Sequence, residues 1–293
     1  MTERHYVGSR EPRIDGRDKV SGAAQFVDDL EVGPGLLHAA VVESPYAHAR
    51  IVAIDTSAAE AITGVVKVVT GADFPFTFGV YMQDRYVFAQ DRVRFVGEQV
   101  AAVVAHDPVT AKRAAAAVEV TYEPLPPVLD VATATADDAV LVHPDLGDYP
   151  HVPWFFPHAG TNVAHWRKTR KGDLEAGFAE ADVVLEDTYV VPRYAHCAIE
   201  PHVVVAQQDH AGRLTVWAAS QSPYIQRDVF AESLQPLGLS HHDIRVITPF
   251  VGGGFGGKAG VTMEIVGAAL ATAVKGHPVK LRWTREQEFY NTY

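Results

Sequence analysis

Along the first 130 or so positions, short apolar runs alternate with polar residues, and one run has helical spacing. This pattern favours α/β structure over an all-β sandwich. Residues 100–105, Val-Ala-Ala-Val-Val-Ala, predict a buried strand. Asp107-Pro108 supplies a cap and a first-turn proline for a helix over 109–117, and 118–123 alternates as a strand. Residues 37–42 and 50–55 read as two earlier strands around the turn-forming Glu43-Ser44-Pro45-Tyr46. Pro124, Pro126 and Pro127 end this unit, and the weakly periodic stretch that follows reads as a linker laid over a surface. A second α/β pattern then begins: a helix over 174–181 and strands over 183–191, 203–207 and 214–219. A helix over 223–234, a strand over 243–247, a glycine loop, a helix over 262–274 and a strand over 279–283 complete it, and Arg285 to Phe289 starts another helix. The expected division is a first domain over 1–130, a linker over 131–165 and a second domain over 166–293.

Composition narrows the function classes. A 293-residue chain that is 47% hydrophobic can supply a core for two domains. The formal charge of −11 comes from 25 basic and 36 acidic residues interspersed along the chain, which gives no basic footprint for nucleic acid or anionic lipid. No apolar run approaches the roughly 20 residues of a membrane helix, and Met1-Thr2-Glu3-Arg4-His5 lacks the apolar segment of a secretion signal, so the expected location is the cytoplasm. Cys197 is the single cysteine, which excludes an iron–sulfur or zinc site built from four cysteines of this chain.

Three motifs carry candidate chemistry. Phe250-Val251-Gly252-Gly253-Gly254-Phe255-Gly256-Gly257-Lys258-Ala259-Gly260 lies between a strand and a helix, and its glycines let backbone N–H groups approach a ligand closely. The positive end of the following helix is expected to add to that field. An anionic or oxo-bearing group is the natural guest. Gly252, Gly257 and Lys258 are in register with a phosphate loop, but Ala259 has no hydroxyl for magnesium and few residues follow, so a nucleotidase is disfavoured and Lys258→Ala is expected to be mild for cofactor retention beside Gly254→Val. In Tyr194-Ala195-His196-Cys197-Ala198-Ile199-Glu200-Pro201-His202 the His and Cys spacing fits no standard zinc signature; Glu200 reads equally as a structural anchor or a pocket wall. In Ala219-Ser220-Gln221-Ser222-Pro223, Gln221 offers an amide for an oxo or hydroxo ligand beyond a strand's carboxyl end, while either serine serves as a helix cap. His241-His242-Asp243 reads as a solvated turn, and Arg282 with Arg285 as a surface pair.

These motifs, with Pro12 to Gly22, Ser44-Pro45-Tyr46-Ala47-His48-Ala49-Arg50-Ile51 and Val96-Gly97-Glu98-Gln99-Val100-Ala101, resemble the molybdenum-binding subunits of the xanthine dehydrogenase and aldehyde oxidase family over nearly the whole chain. The resemblance implies an α/β chain with a hammerhead-type N-terminal domain and then the first molybdopterin-binding domain, incomplete at its C-terminus. It implies that Gln221 hydrogen-bonds an oxygen ligand of molybdenum, that Gly254, Phe255 and Gly256 present backbone amides to the metal's oxygens and the pterin, and that Phe255 walls the substrate pocket. Family members hydroxylate an aldehyde or N-heterocyclic carbon with oxygen from water and pass electrons through iron–sulfur clusters to a flavin. The implied cofactor is molybdenum with molybdopterin, in the cytosine dinucleotide form, held by the pterin's sulfurs and by no protein side chain.

The chain departs from the family pattern in two places. Xanthine-oxidising members carry a glutamate after the loop lysine where this chain has Ala259, so one polar anchor for a purine is missing. The family's general base and most of its dinucleotide contacts belong to segments beyond Tyr293. A second molybdopterin-binding chain supplying the base, an iron–sulfur subunit carrying the clusters and a flavin subunit carrying FAD are therefore the expected partners. The alternative is a non-catalytic chain that binds partners without completing a redox site.

Overall fold

The computed structural model describes residues 7–292; the expectation drawn from Met1 to His5 lies outside the described residues, as does Tyr293. The elements of the first half are α1 (Gly16–Ser21), β1 (Leu37–Glu43), β2 (Ala49–Asp55), α2 (Ser57–Glu60), β3 (Val65–Thr70), β4 (Thr77–Phe78), β5 (Arg85–Tyr86), β6 (Arg92–Val93), β7 (Gln99–Ala105), α3 (Pro108–Ala115), β8 (Glu119–Pro124) and α4 (Val131–Ala134). Those of the second are α5 (Leu174–Glu180), β9 (Val203–Gln208), β10 (Leu214–Ala218), α6 (Pro223–Ser233), β11 (Ile244–Ile247), α7 (Glu264–Ala273), β12 (Val279–Arg282) and α8 (Arg285–Asn291). No helix among the described residues is long and apolar enough to cross a membrane.

A mixed seven-stranded sheet in the order β11-β10-β9-β12-β1-β7-β3 runs through both halves of the chain. β1 and β12 join them, parallel, with Leu37 opposite Val279 and Ala39 opposite Leu281. β7 lies between β1 and β3 and is buried at every position, as its unbroken apolar run requires. The cap signals hold: Asp107 accepts from the Thr110 amide at 2.8 Å, and Pro108 occupies the first turn of α3. A smaller sheet, β6-β2-β8, encloses with α3 a second cluster that includes Val68, Val103, Ala114 and Val118. The main core continues across the β1–β12 seam, from Phe74, Phe88 and Val104 to Val204, Leu270 and Trp283. α7 is buried along nearly its whole length, and Gly267 sits so close to β9 that a Cβ there would lie 3.1 Å from Val204 Cγ2.

Two expectations are corrected. Residues 183–191 form no strand; Val183, Leu185, Tyr189 and Val190 are exposed, and no neighbouring strand offers them backbone partners. Conversely, β3, Val-Val-Lys-Val-Val-Thr, was not among the expected strands, and it closes one edge of the large sheet. The short elements α1, α2, β4, β5, β6 and α4 were not expected either, and the remaining expected elements agree with the structure to within a residue or two at their ends.

Candidate functional site

Strand direction brings four distant segments to one end of the sheet. β10 and β11 are parallel, so residues 219–222 and 250–258 leave from adjacent carboxyl ends. β9 is antiparallel to β10 and β12, so residues 196–202 enter, and 283–288 leave, at the same end. This is where α/β sheets place ligand contacts, because loops there are free of the ladder.

The glycine loop is fastened from beneath. Gln221 Oε1 accepts from the Gly256 amide at 2.9 Å and the Lys258 amide at 3.3 Å, and the Gln221 amide donates to the Lys258 carbonyl at 2.8 Å. Inside the loop the Gly257 amide donates to the Gly254 carbonyl at 2.9 Å. The amides of Gly253, Gly254 and Phe255 donate to no acceptor among the described residues. Gly253 and Gly256 have φ of 103° and 101°, and Phe255, with φ 54°, is one of two non-glycine residues with positive φ among the described residues. The other, Cys197 (φ 51°), lies in the facing segment, where Ala198 Cβ would be 3.3 Å from a Cβ at Gly253. A bulky side chain in the left-handed region is strained and persists only where its surroundings enforce it. A Cβ on Gly254 would collide with Gln221 Oε1 and lie 2.7 Å from its Cδ, so this approach is closed to any other residue.

Two buried ion pairs hold the frame. Lys258, 1% exposed, donates from Nζ to the Glu200 carboxylate at 2.8 Å and to the Glu200 carbonyl at 2.9 Å, and Glu200 accepts the Gly252 amide at 2.7 Å. His202 lies between Glu288 Oε1, 2.8 Å from Nδ1, and the Gly257 carbonyl, 3.1 Å from Nε2; Glu288 also accepts the His202 amide. Burial pushes the His202 pKa down, but the Glu288 hydrogen bond and the charges of Glu264 and Glu288 outweigh it and hold it above the ordinary imidazole value. Burial pushes Glu288 up, and its bond to His202 more than offsets this.

Several expectations change here. Lys258 is spent on Glu200, through both the carboxylate and the carbonyl, which makes Glu200 a structural anchor. The following helix contributes no anion-binding end, because α7 begins only at Glu264 and that carboxylate folds back on the Thr262 amide at 2.8 Å. Neither serine caps α6 with its side chain; Ser220 Oγ instead accepts from the Ser222 amide. Arg282 and Arg285 lie at and just past the end of β12 as expected, the exposed Arg282 meeting Asp28 at 3.1 Å and the half-buried Arg285 donating to the carbonyls of Ala198 and Ile199 at 2.6 and 2.9 Å. His241 and Asp243 lie in an exposed turn, as expected, with Asp243 accepting from Ser240. The sequence reading missed His202 and Glu288 as a pair, since 86 positions separate them and only the β9–β12 pairing brings them together.

Beside the loop lies a cleft of about 510 Å³. Gly256, Ala259 and Gly260 form one wall, and Phe78, Tyr81 and Phe155 face them. Tyr81 and Phe155 stack at 6.2 Å with 5° between their planes. Asp84 and Arg85 are its ionisable lining groups, and burial pushes the Asp84 carboxyl pKa up. The ring of Phe255 is not part of this lining; it lies over Gly253, and the residue is 74% exposed.

Comparison with known proteins places these features. Residues 21–126 match the aldehyde oxidase and xanthine dehydrogenase a/b hammerhead domain, and residues 155–293 match the molybdopterin cofactor-binding domain. The chain belongs to the aldehyde oxidase and xanthine dehydrogenase family. Among its relatives are the nicotinate dehydrogenase large molybdopterin subunit of Eubacterium barkeri, 33% identical over 96% of this chain and 62% of the relative, and the carbon monoxide dehydrogenase large chain of Afipia carboxidovorans, 36% identical over 96% and 35%. Quinoline 2-oxidoreductase of Pseudomonas putida superposes with a TM-score of 0.81 at 31% identity, covering 96% of this chain and 35% of that one. The chain thus spans from about a third to about three fifths of the length of these relatives.

Proposed function

We propose that this chain supplies the amide cradle and substrate wall of a molybdenum hydroxylase's catalytic site, and that partner chains complete it. The observation that carries the reading is the loop itself: Gln221 pins Gly256 and Lys258 from below, while three consecutive amides, Gly253 to Phe255, are left without a protein acceptor. Unpaired N–H groups in a glycine-rich loop suit the oxygens of an oxo-metal centre and of a pterin. Molybdenum with molybdopterin fits this donor set because the family's metal takes its sulfur ligands from the pterin and asks the protein for hydrogen bonds. When bound, the group supplies the oxidation chemistry by which a substrate carbon gains oxygen from water.

The residues of this chain position and exclude. Gln221 Oε1 is committed to the loop, while its Nε2 donates to no described residue and is the group that would orient an oxygen at the centre. The Gly254 and Phe255 amides would hold the guest by direct contact, the expected Gly256 amide being already donated to Gln221, and Phe255 would cover the guest with its exposed ring. The aromatic cleft favours a planar, largely apolar aldehyde or N-heterocycle over a purine rich in polar edges, since Ala259 offers no hydrogen bond there. The remaining roles fall to partners: a second molybdopterin-binding chain for the general base, and iron–sulfur and FAD subunits for the electrons. The cytosine dinucleotide form of the pterin, a cytoplasmic location and a domain boundary in the 131–165 stretch belong to the same proposal.

Gln221→Ala tests it. In the assembled complex the variant should retain molybdenum and lose about a hundredfold in turnover, the scale of removing one oriented donor. An unchanged rate with the metal in place would leave Gln221 a loop fastener and nothing more.

A further inference from the structure

His202 is 2% exposed, and both of its ring nitrogens face acceptors. Nδ1 meets the Glu288 carboxylate and Nε2 meets a backbone carbonyl, and neither partner brings a proton of its own to the ring at neutral pH. A neutral imidazole has one N–H, so it would serve one partner and aim a lone pair at the other. We propose that His202 is held as an imidazolium that donates to both at once, and that it is a positioning residue for the glycine cradle, clamping Gly257 to α8. The groups facing the ring agree. Glu288 approaches from α8 and Glu264 from α7, while the opposing Lys258 is itself held by Glu200. Trp283 closes the remaining side, its ring 5.0 Å away and tilted by 55°.

The clamp acts at a sensitive point. The Gly257 amide closes the turn onto Gly254, and that turn carries the unpaired amides of Gly254 and Phe255. Loss of the ring proton breaks one of the two bonds. The bond to Gly257 is the weaker, because it is neutral at its acceptor and longer, whereas Glu288 holds both the ring and the backbone of His202. The cradle therefore loosens as pH rises through the His202 pKa, which the Glu288 and Glu264 carboxylates keep above its ordinary 6.5.

Long-range proton–nitrogen NMR on the full chain reads the ring directly. Both His202 nitrogens should be protonated at pH 6.5, and Glu288→Gln, which removes the hydrogen-bonded carboxylate, should lower the titration midpoint below that of the native chain. Hydrogen exchange of residues 252–258, corrected for the intrinsic pH dependence, should lose protection in step with that titration in the native chain and show no such step in His202→Gln. A single neutral tautomer at pH 6.5, or a step that persists in His202→Gln, overturns the proposal. Both readouts are independent of what the cradle binds, so this inference and the cofactor reading can fail separately.

Discussion

Two stretches of nearly identical pattern meet different fates in this protein. Residues 183–191, Val-Val-Leu-Glu-Asp-Thr-Tyr-Val-Val, are as strand-prone by composition as β9, Val-Val-Val-Ala-Gln-Gln. β9 lies between β10 and β12 and is almost wholly buried, with Val204 and Ala206 at 0% exposure. The other stretch has no sheet neighbour, and Leu185 is 90% exposed. A strand is a relation between segments, and β-propensity without a ladder partner yields only an extended, solvated chain. The contrast continues beyond the strands: from Glu200 onward the site end of the sheet is tied by buried ion pairs, whereas residues 173–191 are held by little more than the cap of α5.

The largest effect that sharpens this contrast is expected at Lys258. Lys258→Ala leaves the Glu200 carboxylate buried without its cation and should cost about 3–5 kcal/mol in urea unfolding. A loss below about 1 kcal/mol would mean that the site end is no better tied than the strip before it.

A smaller effect is expected from the His202–Glu288 pair. His202 is raised, so its contribution is complete below its unfolded pKa of about 6.5 and disappears as pH rises through the folded value. Glu288 is lowered, so its contribution is complete above about 4.5 and disappears as pH falls through its folded value. The stability difference between the native chain and His202→Gln should therefore be widest between about pH 4.5 and 6.5 and narrow on both sides. A difference that is flat with pH contradicts the pair.

The smallest effect is expected in the exposed strip. Leu185→Asp should move the unfolding midpoint of the isolated chain by less than about 0.5 kcal/mol, because no packing is lost. In limited trypsin digestion the first cuts should fall at Arg170 or Lys171, ahead of any site within the large sheet. Early cleavage at Lys280, within β12, would reverse the ranking of the two regions.

Local rules carried much of the fold. Asp107-Pro108 marked its helix because a cap and a first-turn proline act within four residues, and β7 was legible because a strand buried on both faces needs no alternation. β3 escaped notice because Val65 to Thr70 has a lysine inside an otherwise apolar run, which blurs its period. At the site, glycine density pointed to the loop, and only the family resemblance pointed to Gln221 over a helix cap. The sequence could not reveal that Lys258 is spent on Glu200, 58 positions away, since that contact follows from strand order in the sheet. Long-range pairs such as His202 with Glu288 are products of topology, and no local window contains them.

The central claim is that the backbone of the glycine loop is itself the functional group, and molybdenum content tests it most directly. Gly254→Val places a side chain where Gln221 already stands, whereas Gly177→Val adds one to the exposed α5, where a Cβ meets nothing within 4 Å. In complexes purified with each variant, Gly254→Val should reduce molybdenum to background while the chain stays folded by circular dichroism, and Gly177→Val should retain the native content. A folded Gly254→Val complex with its full complement of molybdenum would contradict the account.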